Sequence, residues 1–267
     1  MTAFAQERPT FQVGVEARHD RFSYHFDNPS SFDTAALVPH FFEQRYVADN
    51  VWLVASVCYT AGIRWNISAG ATPARQATGD DYDTFWNPDG TVWISGTTGP
   101  ISIHSWQIAM RGEIARRGTV ALFAGYRWRE DRSNFGVGHK TVTRNGVSVA
   151  AEDVTDPERT ESRTLEFLAG ASLAHPLWRR WLLTADGEFA PVTLGRLIVQ
   201  LPVKYPGEDL VFVAKGMTVS GRVSVVHQGP GWHLEVAGSA GHARGYASTA
   251  TLSRDLLGVQ VSLGRSF

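Results

Sequence analysis

Asp81 and Asp83 stand one residue apart in TGDDYDTFWNPDG, Thr78 to Gly90, a stretch that places four acids between two apolar runs. On an extended chain alternate side chains share a face, so both carboxylates point the same way. Two such carboxylates titrate as a coupled pair, and one of them can hold a proton or orient a water near neutral pH. That chemistry suits hydrolysis; the plainer reading is a solvated acidic stretch or a cation site. His104, at the start of the apolar run that follows, is the candidate general base, although a lone histidine there also reads as an ordinary polar surface residue. The sequence shows no Cys/His metal cluster, no phosphate-cradling glycine loop and no serine nucleophile motif, so neither a metal nor a cofactor is expected.

The elements that must hold these acids are strands. The 267 residues carry a formal net charge of −1, which gives no reason to expect a nucleic-acid partner. Apolar residues recur at period two: Leu257, Val259, Val261 and Leu263 share one face, with Gly258, Gln260, Ser262 and Gly264 on the other. Phe11, Val13, Val15 and Ala17 alternate in the same way with Gln12, Glu16 and Arg18. A soluble sandwich and a membrane barrel both produce this pattern, and three features favour the barrel. Connections alternate between short turns, near 61–64, 115–118, 175–180 and 228–231, and long polar insertions near 26–49, 74–100, 130–162, 190–209 and 243–252. Aromatics such as Tyr59, Trp106, Tyr126, Trp128 and Trp181 fall near strand ends, where interfacial girdles sit. The chain also ends on Phe267 after an alternating strand.

Ten strands are expected, near 10–25, 50–61, 64–76, 100–115, 118–130, 160–174, 180–190, 210–227, 232–243 and 254–267. The fold class is therefore all-β, a ten-stranded antiparallel transmembrane β-barrel with short periplasmic turns and long extracellular loops. Residues 1–9 are read as what remains after cleavage of an export signal, from Ala3-Phe4-Ala5, and 10–267 as one barrel domain. The single Cys58 cannot form an internal disulfide. Arg111, Glu113, Glu166, Asp186, Glu188, Arg222 and Glu235 would project into the lumen, either as a rigidifying charge network or as the lining of a narrow channel.

VWLVASVCYTAGIRWNISAGATPARQATGDDYDTFWNPDGTVW resembles the second hairpin and second outer loop of the omptin family of outer-membrane endopeptidases, including the Asp-x-Asp and the Asn-Pro turn, here Asp81-Tyr82-Asp83 and Asn87-Pro88-Asp89-Gly90. LFAGYRWREDRSNF resembles that family's next strand. The resemblance implies a monomeric barrel in the outer membrane of a Gram-negative bacterium, with an extracellular groove that takes basic peptides or proteins. It implies Asp81 and Asp83 as one half of a water-activating site. It also implies lipopolysaccharide as a partner and activating lipid, with Tyr126 matching one of its aromatic contacts and Arg132 and Arg163 as counterparts of its basic ones. The other half of the family's site, an Asp and a His at the top of the seventh strand, has no match, because residues 186–209 contain no histidine. Losing such a base costs about 10²–10⁴ in rate. The sequence thus leaves three readings open: an endopeptidase, a non-catalytic barrel for binding, adhesion or envelope structure, and a narrow channel.

Overall fold

A computed structural model describes residues 9–28, 40–87, 89–155, 157–202, 206–247 and 250–267; the first eight residues, and with them the cleavage-site reading, lie outside the described residues. The described residues form twelve strands: β1 (Thr10–Asn28), β2 (His40–Ala61), β3 (Ile63–Trp86), β4 (Val92–Arg117), β5 (Val120–Phe135), β6 (Gly138–Arg144), β7 (Val147–Val154), β8 (Glu158–Trp178), β9 (Trp181–Gln200), β10 (Asp209–Gly229), β11 (Trp232–Tyr246) and β12 (Ala250–Ser266). Ten of them close an antiparallel ring, each paired with its neighbours in the order β1, β2, β3, β4, β5, β8, β9, β10, β11, β12, with β12 returning to β1. Closure leaves the ten-stranded ring without a free edge, which a membrane-spanning sheet requires.

The alternation seen in the sequence sets the two faces of the wall. Phe11, Val13, Leu53, Ile108, Leu122, Val219, Val236 and Val261 are exposed on the outside, as a lipid-facing band requires. Alternate residues turn inward and carry charge. Arg127 pairs with Glu166 at 2.9 Å and also with Glu188, which Arg111 reaches as well. Higher up, Arg254 bridges Asp20 at 2.9 Å and Asp131 at 2.8 Å, and Arg129 lies 3.0 Å from Asp131. Arg18 contacts Glu16 at 2.6 Å and stacks over Trp52 at 4.1 Å. The lumen is a packed charge network around a cavity of about 580 Å³.

The barrel strands run 15–26 residues, well beyond the ~9–11 a tilted strand needs to cross a bilayer. They therefore continue past the lipid, and the expected long insertions at 74–100, 130–162 and 243–252 are mostly strand. The 74–100 stretch is β3 and β4 joined by a tight turn, where Gly90 has φ +80° and its N–H donates to the Asn87 carbonyl at 3.0 Å. The 243–252 stretch is likewise the ends of β11 and β12. The 130–162 stretch contains a hairpin, β6–β7, closed by Asn145 and Gly146, both at positive φ. It docks along the upper part of β4, pairing Trp93–Thr98 with Arg144–His139. Gly99 permits the approach, since a Cβ there would sit 2.2 Å from the Val137 carbonyl oxygen.

Candidate functional site

Above the lipid band the inward face of the wall changes from charged to apolar. On β1 the inward residues change from Glu16, Arg18 and Asp20 to Phe22, Tyr24 and Phe26, while the outward ones change from Val13 and Val15 to His19 and Arg21. On β9 the inward Glu188 and Thr193 give way to Leu197 and Val199, both 0% exposed. These residues meet Phe42, Tyr46, Ile101, Ile103, Phe135 and Leu210 in one apolar cluster that fills the extracellular end of the barrel. Phe26 stacks on Phe42 with ring centroids 4.8 Å apart and tilts against Phe212 at 5.0 Å.

The acidic pair sits in the wall of this plug. Asp81 and Asp83 both lie on the inward face of β3, as the i, i+2 spacing requires, and Asp83 is only 5% exposed. Across the strand ladder Asp81 faces Gln44 of β2 and Thr97 of β4, while Asp83 faces Phe42 and Ser95. A third acid, Glu158 at the start of β8, shares the interior. The Tyr24 hydroxyl donates to its Oε1 at 2.6 Å and lies 3.3 Å from Thr160 Oγ1, and the Thr160 hydroxyl donates to Gln44 Oε1 at 3.5 Å. Burial first, then the Glu158 carboxylate and more weakly Asp81, hold the Tyr24 phenol well above its ordinary value. Tyr24 therefore stays neutral and donates a hydrogen bond to Glu158. Glu158 escaped notice in the sequence because ERTES lacks outward apolar residues, yet Glu158, Thr160 and Ser162 keep the inward alternation of β8.

The other expected site residues fall on the opposite side of the wall. His104 lies between the inward Ile103 and Ser105, points outward, and pairs across the ladder with Arg132. It cannot serve Asp83 as a base, because one step along a strand turns a side chain to the other face. His139 and His242 also bond outward partners, Asp153 at 2.9 Å and Asp255 at 2.7 Å, and His25 stacks on Phe41. The side chain of His40 is not described. Tyr126, Arg132 and Arg163 all face outward, but they do not form one cluster. Arg132 and Arg163 converge on Glu130, at 2.6 and 3.3 Å, whereas Tyr126 sits lower, beside Met110 and Phe167 in the apolar band.

Closed ladder, apolar outer wall and charged lumen together define a ten-stranded antiparallel transmembrane β-barrel. In shape it is similar to the outer membrane protease OmpT from Escherichia coli, which superposes over 100% of this chain and 99% of its own, with a TM-score of 0.73 at 10% sequence identity. The transport unit of the autotransporter AIDA-I from Escherichia coli, at 8% identity over 100% and 93%, reaches a TM-score of 0.33. The toluene transporter TodX of P. putida, at 12% identity over 99% and 91%, reaches 0.30, and neither of these two supports a strand-by-strand correspondence. No family model and no curated protein matches the sequence.

Proposed function

We propose that this chain is a non-catalytic omptin-fold barrel of the Gram-negative outer membrane, a rigid platform that holds its extracellular strands and hairpin for binding. One observation carries the reading: the inward positions at the top of β9, opposite the acidic pair, are Leu197 and Val199, buried in the plug. Among the side chains the structure describes, no imidazole turns towards Asp81 and Asp83, and the apolar cluster occupies space that a peptide would need. The same plug, with the ion pairs beneath it, weighs against a channel. Lipopolysaccharide remains the natural neighbour of the outer wall, where Arg132 and Arg163 suit phosphate. Arg196 lies next to Arg163 across the β8–β9 ladder and adds a third cation.

The endopeptidase reading draws on Asp81 and Asp83 sharing the inward face, and the two readings separate in one assay. Protein refolded in detergent with lipopolysaccharide is incubated with a fluorogenic peptide containing paired basic residues, with Asp83→Asn alongside. The expected result is no cleavage by either protein. Cleavage that Asp83→Asn abolishes would make the acidic pair catalytic.

A further inference from the structure

The β6–β7 hairpin stands on the extracellular rim with one side open. β6 pairs with β4 and β7, whereas β7 pairs with β6 alone among the described residues. Every residue of β7 from Val147 to Asp153 is exposed, Val147 at 67%. An uncovered edge presents a row of backbone N–H and C=O groups, and proteins usually blunt it with proline, lysine or a bulge. β7 has no proline or lysine. It has one register shift, at Val149, which leaves Ala150–Val154 as a regular ladder against β6.

We propose that this open edge docks an extended basic strand of a partner protein, added antiparallel to Ala150–Val154. The chain itself contains an example of the strand that β7 accepts. β6 sets His139 against Asp153, Lys140 against Glu152 and Thr141 against Ala151, and His139 Nδ1 lies 2.9 Å from Asp153 Oδ1. The Asp153 side chain is 88% exposed and so stays within reach of the free side. A strand added there gains the backbone ladder, and specificity comes from Lys or Arg opposite the two acids and small or β-branched residues opposite the two alanines. A second copy of β7 fits less well, because its sequence, VSVAAEDV, brings no basic side chain to face Glu152 and Asp153. The inference needs only the barrel's orientation, and it stands or falls independently of whether the mouth cleaves peptides.

The probe is a capped synthetic peptide of the β6 sequence, GHKTVTR, titrated into the refolded full chain in detergent, with a control peptide in which glutamates replace its histidine and lysine. Saturable binding is expected for the first peptide, weakened roughly three- to tenfold by the isosteric pair Glu152→Gln and Asp153→Asn, as the loss of two exposed ion pairs predicts. Bound peptide should also slow amide exchange at alternate residues of Ala150–Val154. Mobility of the unheated protein on a gel checks that the variant barrel is closed. No saturable binding, equal binding of the glutamate control, or binding that the variant leaves unchanged overturns the proposal. Sedimentation showing a dimer that the peptide dissociates would also overturn it, by giving the edge to a second copy.

Discussion

Phe42→Ala is expected to lower the unfolding free energy by about 3–5 kcal/mol, the range for truncating a fully packed aromatic. Phe42 is 1% exposed, stacks on Phe26 and packs against Tyr24 at 5.8 Å, so its loss leaves a void at the centre of the plug. Neighbours held in a closed barrel cannot collapse fully into that void, which places the cost at the upper part of the range. Phe42 is also the cross-strand neighbour of Asp83 on β2, so the substitution opens space beside the acidic pair. The measurement is the urea midpoint at which the folded, fast-migrating gel band is lost. A midpoint equal to wild type would mean that the plug contributes little to closing the barrel.

Arg127→Met should cost a comparable amount, about 3–5 kcal/mol, for a different reason. Arg127 pairs with both Glu166 and Glu188, and all three are largely withdrawn from water. Methionine fills the space but leaves Glu166 without its ion pair, while Glu188 retains Arg111. The cost is that of an uncompensated buried carboxylate, which predicts partial rescue by the second substitution Glu166→Gln. A glutamine there still accepts the Thr218 hydroxyl, which bonds Glu166 Oε1 at 2.9 Å. Rescue in the double variant checks the electrostatic account, whereas additive losses would point to packing instead.

The barrel was legible from the sequence because lipid imposes a rule on every spanning strand: Phe11, Val13 and Val15 must face out, and Gln12, Glu16 and Arg18 must face in. Outside the lipid that rule lapses. β3 beyond Thr72 and β4 before Ile101 are held by backbone pairing in water and show no outward apolar stripe, so ARQATGDDYDTFW read as a loop. The hairpin had a local signal, Asn145-Gly146 between alternating residues, which the length of the polar insertion hid. The plug left a signal as well. Phe22, Tyr24 and Phe26 continue the inward phase of Glu16, Arg18 and Asp20, and an exchange of polarity at constant phase marks the strand leaving the membrane. The spacing of Asp81 and Asp83 fixed which way they face; what faces them across the barrel depends on strands more than a hundred residues away, such as Leu197 and Val199 of β9.

The plug, in the proposed reading, seals the mouth over the acidic pair. Asp83→Cys in a Cys58→Ser background, treated with a water-soluble maleimide, tests this directly against Asp153→Cys on the exposed edge. A plug that must open locally before the reagent enters predicts labelling at position 83 at least about a hundredfold slower than at 153, corresponding to an opening cost near 3 kcal/mol. Equal rates in a folded barrel would mean an open groove with the two carboxylates at its wall, and would return the chain to the protease reading.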